Sequence, residues 1–297
     1  MKKINVAVLM GGKSSEHEIS LMSGKEVVRN LDESKFNVFP VIVSKDGQSW
    51  QLTSKKTLLL STKSAGNFLS TKNHSQIMEN KHIDVVFIAM HGKNGEDGTM
   101  QGYLDLLGVR YTGSGVLASA IAMDKVYSRT LFTHNGINVP KGIELKKGQG
   151  SQDVLKVLKL PVFVKPSNQG SSVGTSKAKT LPELDKALRT AFSYSESILV
   201  DEYIEGTEIT CAVLGNDKPK ALPIVEIVPK NEFFDLEAKY DANLTDEIVP
   251  ARISTALEKK AKEIAIQAYK ALGCSGFGRV DMIIKGEQVF TLEVNSI

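Results

Sequence analysis

The chain has 297 residues, a length that favours more than one domain. Hydrophobic residues make up 41% and charged residues 24%, as is typical of a folded globular protein. A formal net charge of +3 is too small to indicate nucleic-acid binding, and no apolar run is long enough to predict a transmembrane helix. The two cysteines, Cys211 and Cys274, form no metal or redox motif. Free thiols favour a cytoplasmic protein, and we expect no membrane and no nucleic-acid partner.

The sequence begins with an apolar run at residues 4–10, which predicts a buried strand rather than a signal peptide because the run is short and contains Asn5. The following segment, GGKSSEHE, resembles a P-loop, but alanine stands at residue 7 where that motif requires glycine. Glu16 lies between this strand and a helix predicted at residues 20–31, where ligands gather in open α/β sheets. Glu16 is therefore a candidate for binding a substrate ammonium group, with complementation of the helix dipole as the alternative.

The first half of the chain continues as alternating strands and helices. Strands are predicted at residues 38–43 and 83–90 and helices at residues 99–107 and 114–135, while residues 52–80 are polar, predicted to be irregular, and carry no motif. His91 follows the second of these strands and is a candidate for contacting substrate or orienting Glu16, with a structural histidine as an equal alternative. The alternation predicts a doubly wound domain, and the lack of GxGxxG disfavours a dinucleotide.

A second block carries a candidate phosphate-binding loop. A strand predicted at residues 162–165 ends at Lys165, and the segment PSNQGSSVG follows at residues 166–174. Small residues with two glycines expose backbone N–H groups that hold phosphate oxygens, and Lys165 supplies a positive charge at the start of the loop. A flexible surface loop is the alternative. A helix with proline in its first turn is predicted at residues 181–192.

Two further strands, predicted at residues 197–204 and 208–214, form a candidate nucleotide edge. Glu202, Tyr203 and Ile204 could offer backbone groups to an adenine. Glu208 could accept hydrogen bonds from ribose hydroxyls. An amphipathic acidic strand without a ligand is the alternative for this stretch taken alone.

A third block contains a strand predicted at residues 221–228, a long polar loop at residues 229–250 and a helix at residues 255–272. Long loops in compact domains are often lids, so we expect this loop, which contains the sequence EAKY, to close over a site. Thr255 and Glu258 form a predicted capping box at the start of the helix.

The last segment, GRVDMIIKGEQVFTLEVN, predicts a β-hairpin around a short turn that contains Gly286. We expect the turn to comprise residues 286–288, so that Lys285 faces Val289. The same register places Asp281 opposite Glu293, and Arg279 opposite Asn295. The opposite face then carries the apolar residues expected in a core, which are Val280, Met282, Ile284, Phe290, Leu292 and Val294.

The polar face of this hairpin predicts a cation site. Two carboxylates and an amide carbonyl are hard oxygen ligands, and Mg²⁺ binds few such ligands while leaving other positions to substrate phosphates. The adjacent Arg279 would suit an anionic substrate or a developing oxyanion. A solvent-facing strand pair with ordinary surface charges is the alternative.

Taken together, seven segments resemble the ATP-grasp superfamily and, within it, the D-alanine–D-alanine ligases of bacterial cell-wall synthesis. In chain order they read GGKSSEHEIS, AMHGKNGEDG, MDK, VKPSNQGSSVG, EAKYD, GRVDMI and LEVN. The resemblance implies a mixed fold, α/β in the first part and α+β in the C-terminal half. It divides the chain into a doubly wound substrate domain at residues 1–122, a small central domain at residues 123–212 and a C-terminal domain at residues 213–297.

The resemblance also implies which residues bind ATP and metal. Phosphates would contact Lys125, Lys165, Ser171, Ser172 and Lys239. Adenine and ribose would contact Glu202, Tyr203, Ile204 and Glu208. The metal ligands would be Asp281, Glu293 and Asn295, with Glu293 bridging two Mg²⁺ ions that Mn²⁺ could replace. The ATP site would lie between the central and C-terminal domains.

The implied reaction joins two D-alanines through a D-alanyl phosphate. Glu16 would bind the ammonium group of the first D-alanine, and His91 and Asp281 would lie at the substrate site. Arg279 would bind the carboxylate or stabilise the later oxyanion. Ser172 and Tyr240 would complete a hydrogen-bonded link to Glu16 when the lid closes and excludes water.

Three alternatives stay open at this point. Tyr240 favours a dipeptide product over D-alanyl-D-lactate, and a ligase that uses D-lactate or D-serine is the nearest alternative. Members of the family continue beyond the Glu-Val-Asn motif with a substrate loop and a helix, whereas this sequence stops at Ile297. A second alternative is therefore a nucleotide-binding protein without ligase activity, and a third is another carboxylate–amine ligase. The resemblance implies a homodimer.

Overall fold

The computed structural model describes residues 2–60, 69–71, 75–170, 173–229 and 245–297. The chain forms two compact units, one that runs to Leu117 and includes Ile297, and one that comprises Ala118–Ser296. No helix within the described ranges is both long and apolar enough to cross a membrane. The division into three domains predicted from the sequence stays a prediction.

The first unit contains a six-stranded sheet in the order β4-β3-β2-β1-β5-β6. Strands β2, β1, β5 and β6 are parallel, and β3 and β4 add antiparallel pairs at one edge. The strands are β1 (Ile4–Gly11), β2 (Phe36–Val43), β3 (Trp50–Leu52), β4 (Leu69–Thr71), β5 (Val85–Ile88) and β6 (Arg110–Tyr111). The helices are α1 (His17–Asn30), α2 (Lys55–Leu60), α3 (Ser75–Asn80), α4 (Thr99–Leu106) and α5 (Val116–Met123), which extends past the unit boundary.

Helices cover both faces of this sheet, as the sequence predicted. Side chains alternate along β1, so Leu9 packs in one apolar cluster and Val8 in another. Helices α1 and α2 contribute to the cluster around Val8, and α3 and α4 contribute to the cluster around Leu9. This arrangement is the doubly wound domain, and it places the loops after β1 and β5 at the same edge of the sheet.

Two sequence predictions in this region were wrong. Residues 52–80 contain β4 and two short helices in addition to the end of β3, although the sequence showed no motif there. The single helix predicted at residues 114–135 is two helices, because Asp124 has an extended backbone between α5 and α6. The Asp124 carboxylate accepts hydrogen bonds from the backbone N–H groups of Val126 and Tyr127, at 2.9 and 3.2 Å. It therefore caps a new helix at Lys125.

The second unit contains two antiparallel sheets. A four-stranded sheet has the order β7-β10-β8-β9, and a five-stranded sheet has the order β13-β12-β11-β14-β15. The first comprises β7 (Gly142–Lys146), β8 (Val162–Pro166), β9 (Ser176–Ala178) and β10 (Ser197–Glu202). The second comprises β11 (Thr207–Leu214), β12 (Lys220–Pro229), β13 (Thr245–Ile248), β14 (Phe277–Lys285) and β15 (Gln288–Asn295). The helices are α6 (Lys125–His134), α7 (Ser151–Leu155), α8 (Leu181–Phe192) and α9 (Thr255–Ala271).

Each sheet of the second unit has its own apolar core. Helices α7 and α8 pack on the four-stranded sheet, where Leu184 and Leu188 are buried against Val164. Helices α6 and α9 pack on the five-stranded sheet, where Phe132 and Tyr269 are fully buried. One face of each sheet is therefore covered by helices. The opposite face carries Lys165 and Asp201 in the four-stranded sheet and Asp281 and Glu293 in the five-stranded sheet.

The β14–β15 hairpin forms with a register that differs from the prediction at its turn. The turn is only Gly286 and Glu287, so Lys285 faces Gln288 rather than Val289. The register shifts by one residue between Asp281 and Met282, which marks a β-bulge on the opposite strand. Beyond the bulge, Asp281 faces Glu293 and Arg279 faces Asn295, as predicted.

The shorter turn also changes which residues of β15 enter the core. Phe290 and Leu292 were predicted to be buried, but both are only partly buried. Val289 and Thr291 take their places and are fully buried. The reason is the one-residue difference at the turn, because a shift of one residue exchanges the two faces of a strand.

The predicted capping box of helix α9 is replaced by a different cap. Ser254, not Thr255, is the N-cap, and its hydroxyl accepts a hydrogen bond from the N–H of Leu257 at 3.3 Å. Serine and threonine are both common N-cap residues, so the sequence alone did not show which of the two would cap the helix.

We predict that Ser254→Ala lowers the free energy of unfolding by about 1 kcal/mol, because the N–H of Leu257 loses its side-chain acceptor. Urea denaturation followed by circular dichroism measures the change. Thr255→Ala is the matched control, since Thr255 is exposed within the first turn, and we expect a change within about 0.5 kcal/mol. A larger loss for Thr255→Ala than for Ser254→Ala would contradict the assignment of the cap.

Candidate functional site

The hairpin brings the three predicted metal ligands to one face of the five-stranded sheet. Asp281 on β14 lies directly opposite Glu293 on β15, and Asn295 lies one pair further along the same face. The amide Nδ2 of Asn295 donates a hydrogen bond to Oδ2 of Asp281 at 3.0 Å. All three side chains are partly buried, so they are held in place and remain accessible.

Protein cations neutralise the two carboxylates of this face. Arg279 donates from Nε to Oδ1 of Asp281 at 3.0 Å and from Nη2 to Oδ2 at 3.1 Å, which is a bidentate ion pair. Nζ of Lys125 lies 3.3 Å from Oε2 of Glu293. The side chain of Arg279 is 49% exposed, whereas that of Lys125 is 14% exposed, so Arg279 is the freer of the two to move.

The donor set fits a hard divalent cation. Two carboxylates and an amide match the few oxygen ligands that Mg²⁺ takes from a protein, with substrate phosphates supplying others. The part of the chain that the structure describes contains no group of three or more His, Cys, Asp or Glu that could hold a metal ion. A metal site here would depend on the amide of Asn295, which turns its nitrogen towards Asp281 and would have to rotate to offer its oxygen.

Lys125 connects the hairpin with the start of the predicted phosphate loop. It is the first residue of α6, and its backbone N–H donates to the carbonyl oxygen of Ser167 at 2.8 Å. Its Nζ donates to the carbonyl oxygen of Gln169, also at 2.8 Å, in addition to the ion pair with Glu293. The lysine therefore holds the loop close to the carboxylate face.

Lys165 belongs to a buried ion-pair network that the sequence did not predict. Its Nζ lies 3.2 Å from Oδ2 of Asp201, and Arg129 forms an ion pair with Oδ1 of the same carboxylate. The side chain of Asp201 is only 5% exposed, so both cations compensate the cost of its burial. Position 142 is glycine because a Cβ atom there would lie 2.3 Å from Oδ1 of Asp201.

The residues predicted to contact the nucleoside lie at the end of β10 and the start of β11. The N–H of Glu202 donates to the carbonyl of Lys141 at 2.8 Å, and the N–H of Tyr203 donates to the carbonyl of Pro161 at 3.2 Å. Backbone N–H contacts to an adenine therefore cannot come from these two residues without breaking those bonds. Ile204 is buried and Glu208 is partly buried.

The ammonium group of Lys177 lies over the aromatic ring of Tyr203. Nζ of Lys177 lies 3.8 Å from the centroid of the Tyr203 ring, which is a cation–π geometry. The ring of Phe163 lies on β8 with its centroid 5.9 Å from that of Tyr203. The ring of Tyr203, which follows the end of β10, thus has neighbours on strands β8 and β9 of the four-stranded sheet.

Glu16 and His91 lie in the loops after β1 and β5 of the first unit. Glu16 is 6% exposed, and Gly92 packs against its carboxylate so closely that a Cβ atom at residue 92 would lie 2.2 Å from Oε2. Nε2 of His91 and Oγ of Ser23 are 2.8 Å apart, within hydrogen-bond distance. The two candidate residues therefore occupy neighbouring loops, as their positions after parallel strands predicted.

Four predicted site residues lie outside the described residues. They are Ser171 and Ser172 in the phosphate loop and Lys239 and Tyr240 in the long loop. Their roles stay predictions from the resemblance.

Comparison with protein-family models decides the family. Residues 5–114 match the model for the D-Ala–D-Ala ligase N-terminus, and residues 131–297 match the model for the C-terminus. The chain is 42% identical to a D-alanine–D-alanine ligase of Clostridium acetobutylicum, in an alignment that covers 100% of this chain and 89% of the relative.

The chain belongs to the D-alanine–D-alanine ligase family.

Solved structures of ligases share the fold of this family member. The VanG D-Ala:D-Ser ligase of Enterococcus faecalis is 35% identical with a TM-score of 0.82, covering 100% of this chain and 91% of that chain. A D-alanine–D-alanine ligase of Bacillus anthracis, determined in complex with ATP, is 33% identical with a TM-score of 0.76, covering 99% of this chain and 86% of that chain. These findings confirm the predicted ATP-grasp fold and the predicted enzyme class, an ATP-dependent ligase.

The ion pairs of Asp201 with Arg129 and Lys165 were not predicted from the sequence of this ligase. Arg129 lies four residues after Lys125, so the two share one face of α6, and that spacing was visible in the sequence. Asp201 stands next to Glu202, but its pairing with Lys165 depends on how β10 and β8 align across the sheet. That alignment joins residues 36 positions apart and has no local sequence signal.

We predict that Asp201→Asn lowers the free energy of unfolding by about 2–3 kcal/mol, because two partly buried cations lose their shared carboxylate. Glu196→Gln is the control, since Glu196 pairs with Lys147 on the surface and its side chain is 83% exposed. We expect the control to change stability by less than about 0.5 kcal/mol. Chemical denaturation measures both, and equal stability of Asp201→Asn and the unmodified protein would contradict the network.

Proposed function

We propose that the chain joins two D-alanine molecules into D-alanyl-D-alanine at the expense of ATP, for the synthesis of peptidoglycan precursors. The observation that carries the proposal is the polar face of the hairpin. Asp281 and Glu293 lie opposite each other there, and Lys125 lies 3.3 Å from Glu293. This arrangement suits the phosphates and the cation of a nucleotide, and family membership supplies the reaction in which they would be used.

In this proposal ATP binds with two Mg²⁺ ions, which Mn²⁺ could replace. Asp281, Glu293 and Asn295 would hold the metal, with Glu293 as the bridging ligand. Bound Mg²⁺ would neutralise charge on the transferring phosphoryl group. Lys125 and Lys165 would hold the phosphates as point charges, together with the loop residues Ser171 and Ser172 and with Lys239. Glu202, Tyr203, Ile204 and Glu208 would form the nucleoside site.

The proposed chemistry begins with attack of a D-alanine carboxylate oxygen on the γ-phosphorus of ATP. The bond to ADP breaks, and a D-alanyl phosphate forms. The neutral amine of the second D-alanine then attacks the acyl carbon, and the C–O bond to phosphate breaks in the tetrahedral intermediate. The nitrogen loses one proton, which the departing inorganic phosphate takes up. A carboxylate alone is a poor electrophile, so ATP is needed to supply the leaving group.

Arg279 is the proposed stabiliser of this intermediate. Its guanidinium is half exposed, so it can leave Asp281 and reach a substrate carboxylate or the oxyanion. Losing one such donor typically lowers the rate about 10²–10³-fold. Exchange of Arg279 from Asp281 to substrate would also free carboxylate oxygens for a cation.

Glu16 and His91 are the proposed contacts for the first D-alanine. The carboxylate of Glu16 is largely withdrawn from water, which strengthens its attraction for an ammonium group. Ser172 and Tyr240 would complete a hydrogen-bonded link to Glu16, and a closed lid would keep water from the acyl phosphate. We also propose a cytoplasmic homodimer with domains at residues 1–122, 123–212 and 213–297.

A related ligase with another second substrate is the competing proposal. The similarity to a D-Ala:D-Ser ligase, at 35% identity, makes D-serine a specific competitor for the second site. Analysis of the products formed from an equal mixture of D-alanine, D-serine and D-lactate separates these activities. Predominant D-alanyl-D-alanine supports the leading proposal.

We predict that phosphate release from ATP requires both D-alanine and Mg²⁺, because the acyl phosphate is made only from bound D-alanine. A coupled phosphate assay measures the rate with each component omitted. ATP hydrolysis that is equally fast with and without D-alanine would contradict the ligase proposal and favour a nucleotide-binding protein of another activity.

The matched variants for this assay are Glu293→Gln and Glu287→Gln. Both glutamates belong to the same hairpin, but Glu287 lies exposed in its turn and Glu293 faces Asp281. We expect Glu293→Gln to lower kcat about 100-fold or more, since several kcal/mol of charge stabilisation depend on a bound cation. Glu287→Gln should keep the normal rate, and a near-normal rate for Glu293→Gln would remove Glu293 from the metal site.

A further inference from the structure

Thr210 lies in line with the two carboxylates of the hairpin face. It belongs to β11, which is flanked by β12 and β14, and it pairs directly with Asp281 of β14. Asp281 in turn pairs with Glu293 of β15. The three residues therefore form one row across three adjacent strands, with the hydroxyl at one end and the carboxylates beside it.

The hydroxyl of Thr210 donates a hydrogen bond to Oδ1 of Asp281 at 2.7 Å. A second acceptor, the carbonyl oxygen of Val280, lies farther away at 3.3 Å. A hydroxyl has one proton, so the shorter and charge-assisted contact to the carboxylate is the stronger of the two. Thr210 is thus an uncharged hydrogen-bond donor to Asp281, the proposed metal ligand on the neighbouring strand β14.

The carboxylate of Asp281 accepts four hydrogen bonds from side chains. Oδ1 accepts from Thr210 and from Nε of Arg279, and Oδ2 accepts from Nη2 of Arg279 and from Nδ2 of Asn295. A carboxylate offers about four acceptor positions, so the group is saturated. A cation that binds Asp281 must displace at least one of these donors.

The three residues that donate hydrogen bonds to Asp281 differ in how readily a cation could displace them. Asn295 would rotate its amide to present oxygen, and Arg279 has a long, half-exposed side chain with a proposed role at the substrate. Thr210 has a short β-branched side chain on a strand with neighbours on both sides, so its hydroxyl has few other positions. It also carries no charge that would repel a cation.

We propose that Thr210 is a positioning residue for the metal site, which holds Oδ1 of Asp281 so that Oδ2 faces the cation. The inference rests on the proposed function, because it takes Asp281 as a metal ligand. Partners that orient metal ligands typically contribute 10–100-fold to metal affinity. The hydroxyl of Thr210 fixes the rotation of the carboxylate before the cation arrives.

The test compares Mn²⁺ binding by three variants of the full chain. Thr210→Val removes the hydroxyl at nearly constant shape, and Thr210→Ser retains it. Thr291→Val is the matched control, since Thr291 is a buried threonine of the same sheet whose hydroxyl has no hydrogen-bond partner among the described residues. Electron paramagnetic resonance of free Mn²⁺, with a saturating non-hydrolysable ATP analogue, gives the dissociation constant without turnover.

We expect Thr210→Val to weaken Mn²⁺ binding about 10–100-fold, and Thr210→Ser and Thr291→Val to stay within about 3-fold of the unmodified protein. Thermal denaturation monitors folding, and Thr210→Ala replaces the valine variant if that variant does not fold. Unchanged Mn²⁺ affinity in a folded variant without the hydroxyl would overturn the role of Thr210. Equal losses in Thr210→Ser and Thr210→Val would overturn it too.

These outcomes separate this inference from the proposed function. If the unmodified protein binds Mn²⁺ with the nucleotide analogue and Thr210→Val binds it equally well, only the role of Thr210 fails. If the unmodified protein binds no Mn²⁺ under these conditions, the metal site and the proposed function fail together.

Discussion

The placement of Asp281 directly opposite Glu293 is the constraint on which the rest of the site depends. Like charges across a strand pair are destabilising, so this arrangement needs positive charge nearby. Arg279 and Lys125 supply it in the absence of other ligands, and both are within ion-pair distance of the carboxylates. Two facing carboxylates that are stabilised by positive charge can also bind a metal ion, and the metal ion can in turn bind the phosphates of a nucleotide.

Helix α6 joins this face to the other sheet of the second unit. Lys125 reaches Glu293 on the five-stranded sheet, and Arg129, one turn later, reaches Asp201 on the four-stranded sheet. Phe132 anchors the same helix in the apolar core. Two of the three lysines proposed to bind phosphate are therefore held by carboxylates, Lys125 by Glu293 and Lys165 by Asp201.

Two facing pairs of the hairpin were predicted from the sequence, but the local details around them were not. The pairs Asp281 with Glu293 and Arg279 with Asn295 were correct although the predicted turn was one residue too long, because the bulge in β15 offset that error beyond Met282. The bulge has little sequence signature, since Leu292 completes a regular alternation of apolar residues with Phe290 and Val294. The break at Asp124 was not predicted, although aspartate is a common N-cap residue and its carboxylate accepts from Val126 and Tyr127.

The contacts that the sequence could not predict are those between distant segments. Asp201 with Lys165, and Thr210 with Asp281, depend on strand pairings between residues 36 and 71 positions apart. Sequence motifs show which residues at the ends of strands could bind a ligand. The partners that orient those side chains depend on how the strands pair in the folded sheet. The exchange of Phe290 and Leu292 for Val289 and Thr291 in the core has a local cause, because it follows from a turn that is one residue shorter than predicted.

Anomalous diffraction from crystals grown with Mn²⁺ and a nucleotide would locate the metal site directly. We expect a Mn²⁺ peak about 2.1 Å from carboxylate oxygens of Asp281 and Glu293, with the amide oxygen of Asn295 turned towards a metal ion. A nucleotide bound with its Mn²⁺ away from this hairpin, or held by other side chains, would contradict this expectation.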